Sequence, residues 1–139
     1  MPYPISLDSH SVDFGSRFLT STTVVASPAA ASETIIAQLS ITDDIYIAKG
    51  IWLEGFCSIT IGTSGATLRL RLRQTNVSGA VVADTQALTV TAAQIYAPSI
   101  NGIDAAAVLP NQTYVLTAQV GSGAATSTVA SVLLGATIV

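Results

Sequence analysis

Few residues in this chain have the chemistry of a catalyst. There is one histidine, His10, and one cysteine, Cys57. Nucleophilic catalysis needs a hydroxyl or thiol within reach of a base that a third group orients. His10 stands in a proline-containing N-terminal stretch, with no serine or cysteine at a recognisable motif spacing. One histidine and one cysteine also fall short of the ligand set of a structural zinc site. The acids Asp43, Asp44, Glu54, Asp84 and Asp104 are dispersed, and Asp43-Asp44 lacks the ligand-rich spacing of a calcium loop. The sequence GTSGA at 62–66 lies between two strand-like runs, whereas phosphate-binding loops join a strand to a helix. These residues point away from an enzyme and call for no metal or cofactor.

Two other groups of residues have the chemistry of binding. Arg69, Arg71 and Arg73 alternate with Leu68, Leu70 and Leu72, so the three arginines share one face of a strand. A row of guanidinium groups can grip a partner's carboxylates through paired hydrogen bonds. The plainer role is a solvated outer face or a charged edge strand; in a trimer, three such stripes near an axis would repel, so acids such as Glu54 or Asp84 would have to lie close by. Trp52 and Phe56 flank Glu54 on the face opposite Ile51, Leu53, Gly55, Cys57, Ile59 and Ile61. Aromatic side chains concentrate at the centres of interfaces, which makes Trp52 and Phe56 candidates for a subunit seam. A loop or the N-terminal segment of the same chain is the other candidate cover. Cys57 falls on the apolar side and reads as a buried, inert thiol. Asn76-Val77-Ser78 and Asn111-Gln112-Thr113 match the glycosylation acceptor pattern, but short patterns recur by chance.

The elements that must carry these residues are strands. Apolar and polar residues alternate from Ile51 to Ile61 and again from Leu68 to Arg73, which marks a sheet with one dry side. The small residues between them predict a hairpin with a longer loop. Thr34 to Thr42 repeats the pattern with Ile35, Ala37, Leu39 and Ile41 inward, and Thr113 to Val120 does so with Tyr114, Leu116, Ala118 and Val120 inward. Shorter strands are expected at Thr22–Ala26, Ile45–Ala48, Ala80–Ala83 and Gln86–Thr91, the last burying Leu88 and Val90. The final strand lies within Ala124–Val139. Residues 92–110 are the longest irregular part, with a single helical turn expected around Ala105, Ala106 and Ala107. About eight short strands with regular turn signals and no amphipathic helix predict an antiparallel sandwich, and the count fits two four-stranded sheets in a jelly roll. An immunoglobulin-like sandwich is the runner-up, but the Cys, Trp, Cys spacing is missing.

The chain has 139 residues, enough for one domain with a core. Residues 1–20, with Pro2, Pro4 and scattered aromatics, read as an extended N-terminal arm, and residues 21–139 as the sandwich domain. Only 9% of residues are charged while 50% are hydrophobic, against roughly 25% charged in an average soluble protein. A surface so poor in charge suggests that part of it meets copies of the chain or another protein. A net charge of −3 and a pI near 4.7 argue against non-specific nucleic-acid binding. No apolar run reaches the length of a membrane-spanning helix. The start, MPYPISLDSH, lacks the basic and apolar regions of a signal peptide, so the chain is expected to be made in a cell's cytoplasm.

The low lysine content, the Ala, Thr and Val richness, the proline-containing arm, IWLEGFCSITIGTSGATLRLRLRQT, NQTYVLTAQV and the terminal TSTVASVLLGATIV together resemble a family. They look like the head decoration, or cement, proteins of tailed bacteriophages with a tumour-necrosis-factor-like jelly roll. The resemblance implies a homotrimer on the outer capsid surface of the virion that clamps and stabilises the lattice of the major capsid protein. It implies capsid contact through the arm (Tyr3, Pro4, Ile5), a trimer seam at Trp52 and Phe56, and either role for Arg69, Arg71 and Arg73. The alternative reading is a carbohydrate- or receptor-binding jelly-roll module of a phage tail or cell surface.

Overall fold

The computed structural model describes residues 18–29, 31–42, 49–91, 93–107, 109–121 and 126–139. Ten strands and no helix occur among them: β1 (Phe18–Ser21), β2 (Thr34–Ile41), β3 (Ile51–Ile61), β4 (Thr67–Gln74), β5 (Val81–Asp84), β6 (Leu88–Thr89), β7 (Gln94–Tyr96), β8 (Ser99–Asp104), β9 (Gln112–Gly121) and β10 (Ser127–Ile138). They form two antiparallel sheets. Sheet A runs β1-β10-β3, with β7 and β8 both on the far side of β3; sheet B runs β2-β9-β4, with β5 and β6 both on the far side of β4. β7 pairs with Ile59–Ile61 and β8 with Ile51–Phe56, so the two short strands share one edge position. β5 and β6 share the opposite edge in the same way. Counting each split edge once gives two four-stranded sheets whose neighbours come from distant parts of the chain, the jelly-roll arrangement.

The alternation expected on β3 and β4 is present residue by residue. Ile51, Leu53, Cys57, Ile59 and Ile61 are fully buried, as are Leu70 and Leu72, while Trp52 and the arginines face outward. Tyr114, Leu116, Ala118 and Val120 of β9 line the same core, beside the leucines of β4 in sheet B and facing β3 of sheet A. Each large aliphatic side chain buried this way stabilises the fold by about 1.5–3 kcal/mol. Gly55 lies on the inner face, close against the opposite sheet. A Cβ there would come within 2.9 Å of Leu116 Cδ1 and 3.1 Å of Ile100 Cγ2.

Several expectations are corrected. β3 and β4 do not form a hairpin: they belong to different sheets, and the 62–66 segment crosses between them. Both strands turn their apolar faces to one core, which a sandwich satisfies by placing them opposite each other as readily as side by side. The first strand is Phe18–Ser21, paired with β10, rather than Thr22–Ala26. The last residues assigned to the arm thus lie in the sandwich. In β2 a bulge between Ile35 and Ala37 turns Ile36 into the core and leaves Ile35 half-buried. Residues 94–104 are strands β7 and β8, and the alanines at 105 and 106 form a turn, not a helix. Leu88 is 46% exposed although Val90 is buried, because β6 is a two-residue edge strand that stops before it can alternate. The Ile45–Ala48 strand, the Asp43-Asp44 turn, His10 and Tyr3, Pro4 and Ile5 of the arm lie outside the described residues.

Candidate interaction surface

The outer face of sheet B is the more highly charged one. β4 lies between β9 and β5, which makes it an inner strand of the sheet and not an edge. Arg69, Arg71 and Arg73 project from it into a ladder of alternating charge. Arg69 grips Asp84 of β5 with Nε and Nη2, the Nε bond being 2.8 Å. Arg71 Nε donates to the same carboxylate at 3.2 Å, and its Nη1 donates to Glu33 and to Gln119 Oε1. Arg73 donates to Glu33 through Nε at 2.6 Å and Nη2 at 3.0 Å. Thr117 of β9 lies beneath and donates its hydroxyl to Glu33 at 2.9 Å. Burial alone would push the Glu33 carboxyl up, but the Arg73 and Thr117 hydrogen bonds and the two nearby guanidiniums outweigh it and hold it below its ordinary value. The paired bond from Arg69 holds Asp84 well below the usual carboxylate range, against an opposing push from burial and with help from the Gln86 N–H and Arg71.

Glu33 is the partner that sequence reading missed, standing 38 residues from Arg71. Asp84 is where it was expected. Glu54 is not, because β3 carries it on the other sheet. The three guanidiniums are therefore engaged within the chain by two carboxylates.

A second polar group closes one end of the sandwich. Asp104, 5% exposed at the end of β8, accepts from Tyr114 Oη at 2.7 Å and Gln74 Nε2 at 2.6 Å, both from sheet B. The Ala106 N–H donates to its other oxygen at 3.0 Å. Burial, reinforced by the bond to Asp104, pushes the Tyr114 phenol far above its ordinary range, so it remains a donor. This is a structural clasp: it ties the sheets together and opens to no cleft. Cys57 is buried in the core, and burial pushes its thiol up to about 11, which keeps it protonated and unreactive. Among the described residues, no three metal-ligating side chains gather.

The outer face of sheet A differs in kind. The register aligns Phe18, Thr137, Trp52 and Ile103 in one row across four strands. Phe18 is 54% exposed, Trp52 38% and Ile103 51%. The next rows hold Glu54 beside Gly135 and Asn101, and Phe56 beside Leu133 and Ser99. The Phe18 ring and Glu54 both lie over Gly135: a Cβ on that glycine would be 3.0 Å from Phe18 Cε2 and 3.2 Å from Glu54 Cγ. A cleft of about 190 Å³ opens between Glu54, Phe56, Ser99, Asn101 and Leu133. Trp52 and Phe56 thus share one face, as read from their spacing, and no described loop buries Trp52. Phe18 and Ile103 escaped sequence reading because only the pairing of β1 and β8 places them beside Trp52.

One solved structure, that of infectious bursal disease virus, Gx strain, contains a similar chain, with a TM-score of 0.57 at 13% identity. The likeness covers 88% of this chain and 32% of that one, so this chain spans about a third of the virus chain it matches. A protein of Bacillus endospore appendages, described as a family of disulfide-linked pili, is similar at a TM-score of 0.45 and 12% identity, covering 91% of this chain and 93% of that one. No protein-family model and no curated protein matches the sequence. The first likeness is one of fold.

Proposed function

We propose that the chain is a non-enzymatic structural protein of a virus particle, acting as a trimeric capsid decoration protein that clamps the major capsid protein lattice from outside. The observation that carries this reading is the exposed apolar row of Phe18, Trp52 and Ile103 on sheet A, in a chain whose described ion pairs all lie on sheet B. A sandwich needs one dry face per sheet, and here sheet A offers apolar area on its second face as well. The jelly-roll fold and its likeness to a chain in a virus structure support the same reading. The outer face of sheet A, with Trp52 and Phe56, is the association face. A trimeric clamp engages several capsid subunits at once, so modest contacts multiply through effective concentration, and a clamp that binds only the expanded shell stabilises it by mass action.

The test is light scattering on the purified chain, followed by co-sedimentation with expanded empty capsids. A trimer that pellets with the capsids is expected. The Trp52→Ala variant should keep its far-ultraviolet circular dichroism and lose most of the pelleted fraction. A wild-type monomer that stays in the supernatant overturns the proposal.

A further inference from the structure

The carboxylate at the centre of sheet A's outer face has no ion-pair partner among the described residues. Among the described residues every ion pair is on sheet B, and Glu54 takes part in none. Its surroundings are aromatic. Trp52 and Phe56 stand two residues to either side on the same strand face, each about 7 Å along the strand. The Phe18 ring lies with Glu54 over Gly135. The absence of a side chain at Gly135 is what lets ring and carboxylate sit together, since a Cβ would press on both. Ser99 and Asn101 border the cleft on the other side.

A half-buried carboxylate with aromatic side chains beside it is complementary to a cation. The carboxylate supplies a charge-assisted hydrogen bond, and ring faces attract an ammonium or guanidinium within about 6 Å of their centres. The cleft of about 190 Å³, lined by Glu54 and Phe56 with Phe18 and Trp52 outside its lining, suits the head of one long side chain, and falls short of the roughly 300–1,000 Å³ of pockets that enclose small molecules. Another copy of this chain is a poor source of the cation: of its five basic residues, Arg69, Arg71 and Arg73 are engaged on the opposite sheet, which leaves Lys49 and Arg17.

We propose that Glu54, with Phe18, Trp52 and Phe56, is a seat for a lysine or arginine side chain presented by a different protein. This rests on sheet A's outer face being the association face, and it names what the partner brings to it. The aromatic rings would exclude water from the pair, the arrangement that makes a central contact count for more than one at the rim.

Trp52 is the only tryptophan, so emission excited selectively from tryptophan, beyond the absorption of the tyrosines, reports this site alone. The probe is a hexa-arginine peptide capped at both ends, titrated into wild type, Glu54→Gln and Arg71→Gln, with a capped hexa-glutamate peptide as control. Saturable change in Trp52 emission is expected with hexa-arginine only, weakened about fivefold or more in Glu54→Gln and unchanged in Arg71→Gln. Equal affinity in wild type and Glu54→Gln overturns the seat, as does a response to hexa-glutamate. A Glu54→Gln variant that falls from oligomer to monomer overturns it too, because the face would then be a seam between copies. Capsid co-sedimentation runs alongside: peptide binding without capsid binding retains the seat and removes the capsid assignment, and the reverse removes the seat alone.

Discussion

Glu33 is a short acid on which two arginines depend. Replacing it with glutamine leaves Arg71 and Arg73 with one fewer charged acceptor on a face where they are 12% and 15% exposed. The expected loss is about 1–3 kcal/mol of unfolding free energy, read from the urea midpoint. The direction with pH follows from the carboxyls. Glu33 and Asp84 both have folded-state values below their unfolded ones. Their stabilisation is therefore complete above roughly pH 5 and is lost as the pH falls through the folded values. Urea melts from pH 7 down to pH 3 should show falling stability, and a Glu33→Gln, Asp84→Asn double variant should show a flatter profile from a lower start. Tyr114→Phe removes one of three donors to a buried carboxylate, so a loss of about 1–3 kcal/mol is expected there as well, with no change in the association face. Of these residues, the arginines were legible from alternation alone. Glu33 was not, because nothing local links it to residues nearly forty positions away.

Strands show how far a single chain's pattern can be read. Period-two alternation gave β3, β4 and β9 their inner faces without error, because burial acts on each residue in turn. It says nothing about which strand lies next door, so the partnership of β3 with β10 and of β4 with β9 could not be seen, and a crossing between sheets passed for a hairpin. The bulge that turns Ile36 inward is likewise invisible, since one extra residue shifts the faces without altering composition. Short edge strands are hardest: β6 and β7 have too few residues to establish a period. Turn chemistry makes a sharper demand. A Cβ on Gly79 would lie 1.6 Å from the Gln74 carbonyl oxygen, so Gly79→Ala must remodel the β4–β5 connection that holds Arg73 Nη1 on the Gly79 oxygen at 2.9 Å. A loss of thermal midpoint larger than that of Gly65→Ala is expected in a melting series, because Gly65 has open space around it and strain only from its positive φ.

The whole molecule divides its two outer faces by chemistry. Sheet B closes its charges on themselves, and sheet A presents rings around a carboxylate that none of the described side chains neutralises. That division predicts different responses to salt. Molar sodium chloride should leave the apolar contacts of sheet A with capsids largely intact while weakening any contact made through Glu54, which capsid co-sedimentation and peptide titration at two salt concentrations would separate.

Chain order sets one further condition on how this sandwich is made. β10 is the middle ladder of sheet A, clasped between β1 and β3, yet a ribosome delivers it after both of them. Until it arrives, the strands it will join have lost their shared neighbour, and the apolar inner side of that sheet has no complete lining. Nascent chains stalled before Ser127 should be open to protease and held by chaperones, and should become resistant only once residues 127–138 have emerged.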